Sequence, residues 1–191
     1  MTLDFTKRGA RYLAIGGLLF GMSALSANIA NAGKTVTREM ATLDTKYPIG
    51  SIVIDTAGRN LYYALGNGHA IKYRVAVGKA GFQWFGQSFV QRKRKNPGWS
   101  PTARMRRMGY PRYVPPGPRN PLGVRAIYLG WTEYRIHGTT APSSIGRAAS
   151  SGCIRMHNKD VVDLFERVHI GAPVYVLKTL KVASPKTAMN Y

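Results

Sequence analysis

Apolar and polar residues alternate in short runs along most of the chain, a pattern that indicates β-strands. The first three runs follow one another closely, with turns between them that include a Gly-Asn-Gly sequence. Such runs, rich in β-branched and aromatic residues, are typical of an antiparallel meander. We predict strands in six runs: Ser51–Asp55, Leu61–Leu65, Ala70–Val77, Gly123–Leu129, Thr132–Ile136 and Val174–Leu177. The fold is therefore expected to be mainly β.

One segment has helical periodicity instead. Between Lys159 and Val168, apolar residues recur at spacings of three and four, which places them on one face of a helix. Asn158 is the expected N-cap, and Asp160 suits the positive end of the helix dipole. We expect one helix here.

Residues 79–121 differ in character from both patterns. Seven prolines lie between Pro97 and Pro121, and aromatic side chains alternate with arginines and lysines. Prolines disfavour long regular elements, so a long loop is predicted. It could line a groove for a ligand, or it could be a solvated, partly ordered loop.

The first 32 residues have the layout of a secretory signal. A basic start with Lys7, Arg8 and Arg11 precedes the apolar stretch Leu13–Leu25, and Ala30-Asn31-Ala32 resembles a cleavage site. An uncleaved anchor is the alternative, but about 20 apolar residues are needed to span a bilayer. We expect a signal at 1–32, a linker at 33–48, one domain at 49–178 and a loose tail at 179–191. The mature chain is expected in the periplasm or cell envelope, without a transmembrane span.

The chain is strongly basic, with 28 Lys and Arg against 8 Asp and Glu, a formal net charge of +20. Such an excess attracts anionic partners and says little about the fold. Because export is expected, an envelope polyanion is favoured over nucleic acid, and no nucleic-acid partner is predicted.

Cys153 is the only cysteine, so it cannot form an intramolecular disulfide. His137 lies sixteen residues upstream and carries the side chain best suited to accept a thiol proton near neutral pH. The pair is therefore interpreted as nucleophile and base. The alternatives are a buried structural cysteine and a histidine that bonds only to backbone.

Two glycines adjoin this pair. The Gly152 and Cys153 amides are expected to form an oxyanion hole, because Gly152 leaves the backbone open to substrate. The Gly138 carbonyl is expected to accept from the far ring nitrogen of His137 and so select its tautomer. The four histidines and one cysteine show no metal-ligand spacing, so no metal is predicted.

Other residues near the pair have two interpretations each. Arg155 could bind a substrate carboxylate or pair with Asp160 or Asp163. Thr139 and the serines Ser150 and Ser151 could act on substrate or satisfy turn amides. We interpret His157 as structural.

The His–Cys segment closely resembles the signature of the L,D-transpeptidase catalytic domain, also called YkuD. The matching residues are His137-Gly-Thr, Ser144-Ile-Gly146, Ser151-Gly-Cys153-Ile-Arg155-Met, Asn158 and Asp160. The resemblance covers roughly residues 49–178 and includes Asn120-Pro-Leu-Gly123. It implies a β-sandwich or barrel-like domain with one helix after the cysteine and a long loop over the site.

The resemblance also implies a reaction, a cysteine acyl transfer on peptidoglycan stem peptides. Cys153 would attack the bond before the terminal D-alanine of a tetrapeptide, with His137 as base and then acid and the Gly138 carbonyl as the orienting group. An amine would then resolve the thioester. The expected substrate-binding residues are Arg155, Ser151, Thr139 and Asn158. No cofactor is implied, and a monomer is expected.

The sequence departs from the family where substrate would enter. Gln83–Phe89 replaces a Thr-Pro-Thr-Gly-type stretch, and no peptidoglycan-binding repeat is found in the sequence. The basic segment, with Arg92–Lys95, is a hypothetical contact for the anionic wall. The acceptor stays open between a second stem, an envelope-protein lysine, a D-amino acid and water, the last giving a thiol carboxypeptidase or amidase. A non-catalytic envelope-binding protein and an exported nucleic-acid binder are the remaining alternatives.

Overall fold

A computed structural model describes residues 38–181. The expected signal at 1–32 and most of the expected tail lie outside these residues. The described strands are β1 Arg38–Thr42, β2 Ile52–Asp55, β3 Asn60–Gly66, β4 His69–Arg74, β5 Val77–Gly78, β6 Gly86–Lys95, β7 Arg125–Leu129, β8 Arg135–His137, β9 Ala148–Ser150, β10 Ile154–Arg155 and β11 Pro173–Leu177. The helices are α1 Ala103–Arg107 and α2 Asn158–Arg167, with a 3-10 turn at Pro142–Ser144.

Nine strands form one open sheet in the order β1-β4-β3-β2-β11-β6-β7-β8-β10, and β5 and β9 form a separate parallel pair. The mainly β prediction is confirmed, and the meander is found in β2, β3 and β4. The sheet is not a closed barrel, because β1 and β10 lie at opposite ends of the strand order and do not pair with each other.

Strand β6 joins the two parts of this sheet. Its first residues pair with β11 and its last residues with β7, and the register shifts between Val90 and Arg92. An extra residue of this kind bends a strand and increases its twist. The bend in β6 therefore links the part that carries the meander to the part that carries β7, β8 and β10.

Strand β6 also corrects the prediction of one long loop over 79–121. The ten residues Gly86–Lys95 contain no proline, and every proline of the region lies at Pro97 or beyond. Ser88 and Val90 point into the interior, while most of the charged residues that follow are exposed. The four basic residues of Arg92–Lys95 consequently belong to a central strand instead of a loop.

The remaining loop is held at its base by Asn120, which is buried. Its side-chain amide donates to the carbonyls of Pro97, Val114 and Pro115, and its side-chain oxygen accepts from the Leu122 N–H. These bonds fix both ends of the loop at one point. The short helix α1 within it was not predicted.

The main core lies between the sheet and α2. Val161, Leu164 and Phe165 of α2 are buried against strand residues such as Ile127 and Ile136. The predicted helix is confirmed, with its apolar face against β7 and β8. Helix α2 therefore supports the two strands that lead into the His–Cys segment.

A second apolar cluster covers the opposite face of the meander. Leu43 and Tyr47 pack there against Val53 and Tyr62, together with Leu180. Residues 38–48 were expected to be a linker, but β1 pairs with β4 along its whole length. Leu180, expected in a loose tail, is also buried. Both segments cover apolar surface that β2 and β3 would otherwise expose.

Replacing Leu43 should test whether this cover stabilises the domain. Leu43→Ala removes a side chain that is 5% exposed, and we expect the free energy of unfolding to fall by about 2–4 kcal/mol. Urea denaturation measures it. The matched control is Met40→Ala, since Met40 is 65% exposed in the neighbouring strand β1. Equal stability losses in the two variants would contradict the described packing.

Candidate active site

The parallel pairing of β8 with β10 brings the His–Cys segment together. Ile154 is paired with Ile136, and Arg155 with His137. Side chains alternate between the two faces of a strand, and both isoleucines are buried in the main core. His137 and Arg155 therefore share the opposite face of the sheet. Cys153, two residues before Arg155, lies on the same face beside Arg135.

His137 is held in one orientation and one tautomer. Its ring is buried, and its Nδ1 atom lies 2.6 Å from the Gly138 carbonyl oxygen. Because a carbonyl only accepts, Nδ1 must carry the hydrogen, and Nε2 then has a lone pair to accept a proton. This contact is the one proposed for Gly138 from the sequence.

Burial lowers the pKa of His137 to about 3. The Gly138 carbonyl opposes this effect, and the nearby charges of Arg155 and Arg135 add to it. The imidazole is therefore neutral at ordinary pH, as a general base must be.

Cys153 also rests in its neutral form. Burial raises the pKa of the thiol, because the thiolate loses water contacts. Arg135 opposes this effect through its charge and its main-chain and side-chain N–H groups, and Arg155 adds a smaller charge effect. Both groups of the pair, the thiol and the imidazole, are therefore neutral at ordinary pH.

Ser150 organises the turn before the cysteine. Its hydroxyl accepts from the Gly152 N–H at 3.1 Å and donates to the Cys153 carbonyl at 2.5 Å. The Gly152 amide is thus already used, which differs from the prediction that both amides form an oxyanion hole. No acceptor for the Cys153 N–H is found among residues 38–181.

Gly152 is required at its position for two reasons. Its φ angle is +111°, which side-chain-bearing residues rarely adopt. A Cβ atom there would also lie 2.3 Å from the Tyr134 ring. The turn accordingly packs directly onto an aromatic side chain.

Trp84 completes this arrangement. Its indole stacks on Tyr134 with ring centroids 4.8 Å apart and planes at 11°, and its Nε1–H donates to the Gly152 carbonyl at 3.1 Å. From the sequence, Trp84 was placed only in the aromatic–basic segment and in the stretch Gln83–Phe89, and Tyr134 only in a predicted strand, with no role at the site for either. Position alone gives little signal here, because Trp84 lies 68 residues from Gly152.

Asn158 supports the histidine side of the site. Its side-chain oxygen accepts from the Thr139 N–H at 3.0 Å, and a Cβ atom on Gly138 or Gly123 would lie 2.2 Å from that oxygen. Asn158 is the first residue of α2 instead of its N-cap, which is His157. The contact fixes the backbone that follows His137.

The other predicted residues lie around this centre. Thr139 is buried, and its hydroxyl accepts from the Ala141 N–H, whereas Ser151 is exposed. Arg155 does not pair with Asp163, which binds Arg38 and Arg167 instead. An open cavity of about 590 Å³ lies beside Thr139 and Asn158 and is bordered by Pro118 of the long loop. Within residues 38–181 there is no cluster of three or more metal-ligating side chains.

The chain resembles known proteins both in sequence and in fold. The model of the L,D-transpeptidase catalytic domain, YkuD, matches residues 49–176. The chain belongs to the YkuD family. The "Probable L,D-transpeptidase YbiS" of Escherichia coli is 40% identical over 152 residues, 73% of this chain and 49% of YbiS. A second relative, ErfK/SrfK of the same organism, is 37% identical over 66% of this chain and 43% of its own. The chain thus spans about half the length of these curated relatives.

Solved structures of L,D-transpeptidases have the same fold. An L,D-transpeptidase from Mycobacterium smegmatis superposes with a TM-score of 0.54 at 16% identity, over 74% of this chain and 82% of its own. The catalytic domain of an E. faecium L,D-transpeptidase acylated by ertapenem gives 0.53 at 21% identity, over 66% and 95%. Among residues 38–181, no helix has the length and hydropathy needed to cross a membrane.

The buried histidine should make stability depend on pH. The pKa of His137 is lowered on folding, so the unfolded chain binds a proton below about pH 6.5 that the folded chain does not. Stability should fall as pH decreases, by about 2 kcal/mol between pH 7 and pH 5 from this group alone. Urea denaturation across this range measures the change.

His137→Gln should remove this component of the pH dependence. His69→Gln is the matched control, because His69 is exposed and its loss should leave the wild-type slope. Parallel pH profiles for wild type and His137→Gln would contradict a buried neutral imidazole.

Proposed function

We propose that this YkuD protein is a peptidoglycan L,D-transpeptidase that acts through a Cys153 thioester. The observation that carries the proposal is the bond from His137 Nδ1 to the Gly138 carbonyl, which leaves Nε2 as the acceptor on the face shared with the only cysteine. A neutral base beside a neutral thiol is the pairing that general-base activation requires.

In the first half-reaction, the Cys153 sulfur attacks the carbonyl carbon before the terminal D-alanine of a tetrapeptide stem. The thiol proton moves to His137 Nε2, and a tetrahedral oxyanion forms. Its collapse breaks the C–N bond, and His137 returns the proton to the leaving amine. The products are free D-alanine and a thioester at Cys153.

The oxyanion is assigned to the Cys153 N–H. The Gly152–Cys153 peptide is trans, so its N–H points opposite to the Gly152 carbonyl that Trp84 holds. The hydrogen bond from Trp84 therefore also orients the donor that would stabilise the oxyanion. Because the Gly152 N–H binds Ser150, the second donor of the hole would come from another group.

In the second half-reaction, an amine attacks the thioester and transfers a proton to His137. Collapse of this intermediate forms the new amide and releases the Cys153 sulfur, which regains the proton. A second stem would give a wall cross-link, and a protein lysine would give attachment of that protein to the wall. Both acceptors fit a strongly basic chain, with a formal net charge of +20 before removal of the expected signal, that meets an anionic wall after export.

The direct test is incubation with a disaccharide-tetrapeptide, with products followed by mass. Cys153→Ala should give no product, and His137→Gln should lower the rate about 100-fold or more through loss of general-base catalysis. His69→Gln, with an exposed histidine, should retain the wild-type rate.

The products distinguish the remaining alternatives. Loss of D-alanine with dimer formation supports transpeptidation, whereas tripeptide alone supports the thiol carboxypeptidase. The absence of any Cys153-dependent product, whether dimer or tripeptide, would overturn the proposal.

A further prediction concerns Trp84. Trp84→Phe keeps an aromatic ring on Tyr134 but removes the donor to the Gly152 carbonyl, so acylation of Cys153 by ertapenem should slow about 10- to 100-fold. Intact-mass kinetics measure this rate. Alkylation by iodoacetamide needs no oxyanion hole and should change little.

The matched control is Trp131→Phe, because Trp131 is 88% exposed and contacts Phe89 instead of the nucleophile turn. Unchanged acylation by ertapenem in Trp84→Phe would show that the indole donor does not orient the oxyanion site.

A further inference from the structure

Two guanidinium groups flank the nucleophile without a negatively charged partner. Arg135 lies on β8 beside Cys153, and Arg155 lies on β10 beside His137. Neither side chain forms an ion pair with a carboxylate among residues 38–181, and the Nε atom of Arg135 is fully buried without a hydrogen-bond acceptor. A buried charged donor without an acceptor is costly, which indicates that a ligand supplies the acceptor.

The acidic residues of the described chain do not serve this purpose. Four of them form ion pairs elsewhere with basic residues: Glu39 with Lys72, Asp44 with Lys46, Asp163 with Arg38 and Arg167, and Glu166 with Lys95. The two arginines thus create a positive, partly desolvated region at the sulfur. In such surroundings an anion binds more strongly than on an open surface.

Arg135 is positioned by an aromatic contact that uses none of its N–H groups. Its guanidinium lies 5.3 Å from the centre of the Tyr128 ring, and the guanidinium of Arg92 lies 3.6 Å from the same centre. The three residues occupy one row across β6, β7 and β8, because Tyr128 pairs with both Arg92 and Arg135. Arg135 is therefore held in place by a contact that leaves its Nε–H without an acceptor.

The ligand chemistry follows from this placement. A planar guanidinium binds a carboxylate through two parallel hydrogen bonds. In a donor peptide whose scissile carbonyl lies at Cys153, the carboxylate of a single remaining C-terminal residue is only two bonds beyond the scissile nitrogen. We propose that Arg135, together with Arg155, binds the free α-carboxylate of the leaving residue and so selects donors that end one residue after the scissile bond.

This assignment rests on the proposed function for the identity of the donor, but the anion site itself does not. Arg135 has a second possible role, because its charge also favours the thiolate of Cys153. A test must therefore compare two reagents that react with the same thiolate and differ only in charge.

Iodoacetate and iodoacetamide form such a pair. Both alkylate the Cys153 thiolate, so the ratio of their rates cancels any change in the thiol pKa. We expect Arg135→Gln to lower the iodoacetate-to-iodoacetamide ratio about tenfold, and Arg155→Gln to lower it as well. Lys178→Gln is the control, since it removes one positive charge at an exposed position. Arg135→Lys retains the positive charge but lacks the paired N–H groups of the guanidinium, so it should give an intermediate ratio.

The donor itself provides the second comparison. Wild type should use a tetrapeptide with a free terminal carboxylate about tenfold or more better in kcat/KM than its C-terminal amide, and Arg135→Gln should lose most of this preference. Thermal unfolding of each variant checks that it is folded.

The outcomes separate the two proposals. An unchanged alkylation ratio in folded Arg135→Gln overturns the anion site, whatever the enzyme does with peptides. A lowered ratio with an unchanged acid-over-amide preference overturns the assignment to the leaving carboxylate. A lowered ratio in a protein that yields no Cys153-dependent product supports the anion site and refutes the transpeptidase.

Discussion

The parallel pairing of β8 and β10 is the constraint on which the site depends. It is only two residue pairs long, yet it places Ile136 and Ile154 in the core and thereby turns His137 and Arg155 to the other face. A slip of β10 by one residue would turn Ile154 out of the core and Arg155 towards it. The core therefore determines which side chains meet at the reaction centre, and helix α2, packed on β7 and β8, maintains that register.

Around this pairing, neighbouring residues hold the groups of the candidate site in place. Gly138 selects the tautomer of His137, Asn158 fixes the backbone after it, and Ser150 closes the turn before Cys153. Trp84 reaches the same turn from a distant segment. These contacts involve mostly neutral groups, whereas the charges that act on the Cys153 sulfur are those of Arg135 and Arg155, both positive. These positive charges favour negative charge at the sulfur or on an anion bound beside it.

Much of the fold and of the His–Cys segment could be predicted from the sequence because their signals are local. The meander, helix α2 and the YkuD signature each lie within one continuous stretch, and the structure or the family match confirms them. The roles of His137, Cys153 and the substrate-binding residues stay predictions. The missed features depend on distant partners. Strand β6 was not predicted because the prolines that follow it indicated a long loop. Leu43 was assigned to a linker because the surface that it covers is formed by β2 and β3. The roles proposed for Trp84 and Arg135 depend on contacts that only the folded structure shows.

The burial of the sulfur has a consequence for the durability of the protein. Peroxides and disulfides react with thiolates far more readily than with thiols. Because burial raises the pKa of Cys153, little thiolate is present at neutral pH. A lone cysteine in oxidising surroundings would otherwise be lost to sulfenic and sulfinic acids. The desolvation that keeps the Cys153 thiol protonated therefore also slows its oxidation.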